Sequence, residues 1–187
     1  MLDYKYLGDR TEWANSNVEE SLLEKYLIST RKYSNTEISS AISQLRRASG
    51  NIAAGLYHAN KEVYGLLRYG VNVSGGDSYG KADNAAVVVH ADKKQKGKKY
   101  VHLIDWANPA ANDFYIAEEV TVKGKNTKRP DLVIYVNGIA LAVIELKRST
   151  ISVHHGIRQN LDNQSKEFIP QFFTTVQLVF AGNDTEG

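Results

Sequence analysis

Asp131, Glu145 and Lys147 are the residues whose types and spacing best suit chemistry. Glu145 and Lys147 are two apart, and side chains alternate across a strand, so both point to one side of a strand that carries them. An acid brought beside them from a neighbouring strand makes a hard-oxygen site suited to Mg²⁺, which keeps several waters and takes one or two protein carboxylates beside a substrate phosphate. A metal held there polarises a phosphoryl oxygen and makes a nucleophile from bound water, while the lysine orients that water or offsets developing charge. The implied reaction is phosphodiester hydrolysis. The plainer alternative makes the acids solvated strand ends and Glu145 with Lys147 a surface ion pair worth under about 1 kcal/mol. Against it stands the run IALAVIELK, apolar on both faces up to its charged end, as in a central buried strand. Charges are rarely placed inside such a strand without a partner or a task.

The stretch RPDLVIYVNGIALAVIELK predicts two strands joined at Asn137 and Gly138, because both residues accept positive φ and Asn-Gly is a strong hairpin signal. A strict two-residue turn would set Asp131 opposite Ile144, on the other face from Glu145. The chemistry therefore requires an odd loop or a bulge that returns Asp131 and Glu145 to one face, and that irregularity is expected.

Around this ribbon the pattern is α/β. A mixed four-stranded sheet is expected from strands near 114–122, 131–137, 140–147 and 176–181, the last parallel to the third through an intervening helix. SNVEESLLEKYLIST predicts a helix over 16–30 capped by Ser16 or Asn17, with Val18, Leu22, Leu23, Tyr26 and Leu27 as its apolar stripe. A second helix is expected over about 36–47 with Asn35 as cap, a third over HANKEVYGLLRYG, and a fourth in the segment before Pro170. An extra hairpin is expected from strands 86–91 and 100–105. The division is then an N-terminal helical region, 1–70, that lends a helix to the core, and the core itself, 71–187.

At 187 residues, with 42% hydrophobic and 24% charged residues, the chain can bury one good core. It has no cysteine, which excludes disulfides, thiolate metal sites and a cysteine nucleophile. No apolar run of membrane-spanning length and no signal-peptide pattern is present, so a cytoplasmic chain without membrane contact is expected. A net charge of +2 is too small to argue nucleic-acid binding by itself. VQLVFAGNDTEG runs a strand into a loop and stops, which suggests an N-terminal piece of a longer chain.

Local basic clusters say more. Lys123, Lys125, Lys128 and Arg129 lie in the loop just before Asp131 and are the preferred DNA-phosphate contacts, of the kind that position DNA without reading bases. Lys93, Lys94, Lys96, Lys98 and Lys99 form a second cluster at the tip of the extra hairpin, read as a solubilising turn. Arg46 and Arg47 read as a solvated helix end. His154 and His155 are adjacent, so they diverge on any regular element, and a loop role is expected.

KRPD with VNGIALAVIELK resembles the R subunit of type I restriction enzymes, and Pro130, Asp131, Glu145, Leu146 and Lys147 resemble the PD-(D/E)xK nuclease signature. LIDW, the Asn112-Asp113-Phe114 run, EEVTV and GIRQNLDNQSKEFIPQFF support the likeness, which covers roughly residues 60–187. The resemblance implies a restriction-endonuclease-like core and Mg²⁺-dependent cleavage of double-stranded DNA, with Asp131 and Glu145 as metal ligands, the Leu146 carbonyl as a further one, and Lys147 assisting water. It implies an acid from the first core helix, Glu19 ahead of Glu20, as an added ligand. It also implies a supporting glutamine on the helix after the lysine, Gln159 with Gln164 as rival, although the tyrosine expected four residues on is here Asn163. ATP binding and translocation, by the same resemblance, belong to further domains of the full-length subunit, since no G-x-x-x-x-G-K-[ST] loop is present. Methyltransferase and specificity subunits are the implied partners. Two other readings fit the same residues: a stand-alone repair nuclease of the same fold, and a docking or DNA-binding module in which cleavage is silent.

Overall fold

The computed structural model describes residues 3–74 and 98–185. In chain order these form β1 (Tyr4–Asp9), α1 (Glu20–Ser29), α2 (Asn35–Gly50), α3 (Leu56–Tyr69), β2 (Val71–Asn72), β3 (Tyr100–Val101), β4 (Phe114–Glu118), β5 (Leu132–Val136), β6 (Ile139–Leu146), α4 (His154–Asn163) and β7 (Leu178–Gly182). The main sheet is mixed and runs β1-β4-β5-β6-β7. β4, β5 and β6 are antiparallel neighbours, while β1 on β4 and β7 on β6 are parallel. The architecture is therefore α/β, with five strands rather than the four expected. The additional strand, β1, pairs with residues more than a hundred positions away.

The β5–β6 hairpin turns at Asn137 (φ 54°) and Gly138 (φ 86°), as the Asn-Gly signal requires. Gly138 is needed twice over, because a Cβ there would also stand 2.6 Å from the Glu19 carbonyl oxygen. The expected irregularity is present. Val136 faces Ile139 and Tyr135 faces Ala140, but Ile134 faces Ala142 and Leu132 faces Ile144, so Leu141 is an extra residue in β6. Its carbonyl accepts from the Gln177 amide, 2.9 Å away, just before β7.

Two apolar clusters hold these elements. One joins α1, α2 and α3 through Leu23, Tyr26, Leu27, Ile42, Leu45 and Val63, with Val101, Leu103 and Ile139 at the hairpin end. The other covers one face of the sheet, where Tyr115, Val133, Tyr135 and Val143 pack with Ile169, Phe172 and Phe173. Asn137, wholly buried, ties the turn down by donating to the Leu103 carbonyl and to Asn112 Oδ1, 2.8 Å each, and by accepting from the Asp113 amide.

Several boundaries differ from expectation. Helix α1 starts at Glu20 rather than near 16, because Val18 forms a β-bridge with Ile139 and the Asn17 side chain donates to Thr174 and the Gln171 carbonyl. Helix α2 is capped by Ser34, in a reciprocal box with Glu37, rather than by Asn35. Strand β3 is two residues long and pairs with β2, and the expected strand at 86–91, with Lys93, Lys94 and Lys96, lies outside the described residues.

Candidate active site

Asp131 enters the site from a short tether. Its carbonyl accepts from the Glu119 amide (2.8 Å), and that of the buried Pro130 accepts from Val120 (3.0 Å), which fixes the residue at the mouth of β5. The pairing of Leu132 with Ile144, continued by one residue, sets Asp131 opposite Glu145. Asp131 Oδ2 then accepts from the Leu146 amide at 2.7 Å, so the aspartate leans across the hairpin onto the strand that carries the glutamate.

Glu145 has no exposed surface. Its Oε2 accepts from Gln159 Nε2 at 2.6 Å and lies 3.7 Å from Lys147 Nζ, while Asn163 Nδ2 stands 3.5 Å from Oε1. Lys147 Nζ donates to Gln159 Oε1 at 2.8 Å, so one amide bridges the ammonium and the buried carboxylate. Gln159 and Asn163 are four apart on α4 and share a face. They reach β6 because Gly156 lets the helix settle on the sheet: a Cβ there would come within 2.9 Å of the Ala181 methyl.

Burial, and after it the neighbouring Asp131 charge, pushes the Glu145 carboxyl up to about 8, with Lys147 opposing. Two facing carboxylates with one ammonium, 3.7 Å from Glu145, leave an uncompensated negative charge when both ionise, and a divalent cation is the group that would relieve it. The donor set, two carboxylate oxygens with a strand carbonyl nearby, is the hard-oxygen kind that suits Mg²⁺. No cluster of three or more His, Asp or Glu occurs among the described residues, so such an ion would take its remaining ligands from water and phosphate oxygens.

Other expected members are elsewhere. The Glu19 amide donates to the Gly138 carbonyl at the turn, 2.7 Å away. That is seven residues along β6 from Glu145, on the order of 20 Å at strand spacing. Glu19 therefore does not join Asp131 and Glu145, a correction that follows from the late start of α1. Glu20 pairs with Arg46 at 2.6 Å, which also occupies that arginine. Gln164 donates to the Asn160 carbonyl, leaving Gln159 as the glutamine at the site. His154 and His155 are exposed in the first turn of α4 rather than in a loop.

The basic loop lies where expected, but three of its four cations already have partners. Lys125 pairs with Glu167 (2.6 Å), Arg129 pairs with Glu119 (2.6 Å), and Lys128 sits 3.9 Å over the Phe168 ring. Lys123 is exposed. Of the other cluster, Lys99 pairs with Glu37 at 2.5 Å. Asn163 is the contact that helical spacing points to, one turn from Gln159 at the position where the resemblance implies a tyrosine.

A family model described as type I restriction enzyme R protein N terminus matches residues 1–187. Three proteins of Methanocaldococcus jannaschii are similar over about half the chain or more. The endonuclease subunit ascribed to the type I restriction enzyme MjaVIIIP is 30% identical over 102 residues, 52% of this chain and 10% of that protein. Those ascribed to MjaIXP and MjaVIIP are 26% identical over 119 residues, 62% of this chain and 11% of that protein, and 34% identical over 98 residues, 51% and 9%. The chain thus spans about a tenth of the length of the curated relatives it matches. No helix among the described residues is long and apolar enough to cross a membrane.

Proposed function

The chain belongs to the type I restriction enzyme R protein N-terminal family, and from that premise we propose that it is the nuclease domain of a restriction subunit, of PD-(D/E)xK type, cleaving double-stranded DNA with Mg²⁺. The observation that carries this reading is the meeting of Asp131, Glu145, Lys147 and Gln159 at one end of the β5–β6 ribbon. Asp131 and Glu145, with the Leu146 carbonyl, would hold the ion. When bound, it supplies a Lewis acid for a phosphoryl oxygen and lowers the pKa of a water beside it.

The chain's own groups do the rest. Lys147, its ammonium fixed by Gln159 at 2.8 Å, orients the attacking water and offsets the negative charge that grows on phosphorus oxygens in the transition state. Gln159 holds the Glu145 carboxylate in the rotamer that faces Asp131, sparing the reorganisation a free side chain would need. Lys123 contacts backbone phosphate, and the paired cations Lys125, Lys128 and Arg129 exchange weak intramolecular partners for phosphates when DNA arrives. Methyltransferase and specificity subunits are the complex partners, and ATP is bound by other parts of the full-length subunit.

The test is Lys147→Ala in the full-length subunit assembled with its partners. Cleavage falls at least about a hundredfold while assembly and ATP hydrolysis persist. Undiminished cleavage removes the mechanism, and loss of assembly together with cleavage would favour a docking role instead.

A further inference from the structure

The sheet buries one face and leaves the other open. Residues paired across neighbouring strands share a face, so Tyr6, Ile116, Ile134, Ala142 and Leu178 make one row, and Glu118, Leu132, Ile144 and Phe180 the next. These rows lie opposite the face that carries Tyr115, Val133, Val143 and Glu145. Along β4, β5 and β6 the covered face is buried, while on the open face Ala142 is buried and Ile116, Leu132, Ile134 and Ile144 are only partly buried. At its margins Tyr6 is 62% exposed, Leu178 57% and Phe180 49%. The surface is aliphatic and aromatic over most of its width, with the acids of those two rows, Glu118 and its β1 partner Asp9, together at one margin.

Five strands about 4.8 Å apart, each about five residues long, give a face of roughly 400 Å². That lies within the range of the largest apolar patch on a soluble monomer, which is often functional. Two copies placed face to face would bury about half of the roughly 800 Å² per partner that a stable pair of standard size needs. A second copy is therefore a poor occupant. A contact within one polypeptide has no such threshold, because the tether supplies the effective concentration, and interfaces of about 600–1,500 Å² in total are usual between domains of a chain. The similar proteins are about ten times as long as the stretch they share with this one.

We propose that the open face, centred on the Tyr6–Leu178 and Leu132–Phe180 rows, is the docking surface for a further domain of the full-length polypeptide, which lays an apolar helix face across it as the second layer that a sheet of this composition requires. This goes beyond the nuclease reading and does not depend on it.

Hydroxyl-radical footprinting read by mass spectrometry tests it, comparing the full-length protein with the 187-residue chain. Tyr6 and Phe180 report on the face, and Tyr57, 72% exposed on α3, reports away from it. In the full-length protein Tyr6 and Phe180 oxidise at least about tenfold more slowly than in the shorter chain, while Tyr57 oxidises at the same rate. Leu178→Glu with Phe180→Glu, both at exposed edge positions, restores fast oxidation of Tyr6 in the full-length protein. Equal oxidation of Tyr6 and Phe180 in the two proteins overturns the proposal. So does a dimeric 187-residue chain in which both are already protected, which would make a second copy the occupant.

Discussion

Asp131 stands opposite Glu145 because Leu141 is an extra residue in β6; without it, Asp131 would face Ile144 and the two carboxylates would lie on different sides of the sheet. The bulge is three residues from Gly138 and four from Glu145, so it re-aims one end of the ribbon without disturbing the Asn-Gly end.

The first prediction concerns pH. Glu145 is pushed up to about 8 from an ordinary value of 4.5, so between those values the folded metal-free protein binds more protons than the unfolded chain. Stability must then fall as pH rises through that window, at up to about 1.4 kcal/mol per pH unit from this group, and level off above it. Urea unfolding in chelator across the window should show the fall, and Glu145→Gln should flatten it. Superimposable profiles for the two proteins would contradict the burial argument.

Divalent ions should act in the opposite sense. Binding requires the ionised carboxylate, so Mg²⁺ should raise the melting temperature more above pH 8 than at pH 6, and Glu145→Gln should abolish the rise. Differential scanning fluorimetry with and without Mg²⁺ measures both.

The two amides on α4 should differ in weight. Gln159→Ala removes a 2.6 Å bond to Glu145 and a 2.8 Å acceptor of Lys147, and should lower metal affinity and cleavage about 10- to 100-fold. Asn163→Ala removes a contact at 3.5 Å, the limit of a hydrogen bond, and should cost less. Calorimetric Mn²⁺ titration of both variants ranks them; the reverse order would reassign the clamp.

Salt dependence separates the cations of the basic loop. Lys123→Ala should reduce the slope of log K for DNA against log salt by about 1. Lys125→Ala should reduce it less, because Glu167 already neutralises that charge in the free protein. Equal changes would mean that Glu167 does not neutralise Lys125 in the free protein.

The hairpin, its turn and the need for a register shift were legible in VNGIALAVIELK, because Asn-Gly fixes a turn locally and the alternation of faces is arithmetic. Which residue bulges was not, since Leu141 differs from its neighbours only through its backbone bond to Gln177. Strand β1 escaped because its partner is more than a hundred residues away and nothing local in YKYLGD names it. Glu19 was misplaced for the same reason: the helix pattern begins at 16, but Val18 is taken by Ile139 across the turn. The loop lysines looked free because Glu167, Glu119 and Phe168 meet them only in the folded chain.

The sharpest test is an anomalous difference map from crystals soaked in Mn²⁺ at a pH above 8. The account predicts one peak between the Asp131 and Glu145 carboxylates, with oxygen contacts of about 2.1 Å as for magnesium. A map with no peak there, or with manganese bound only away from Glu145, would contradict it.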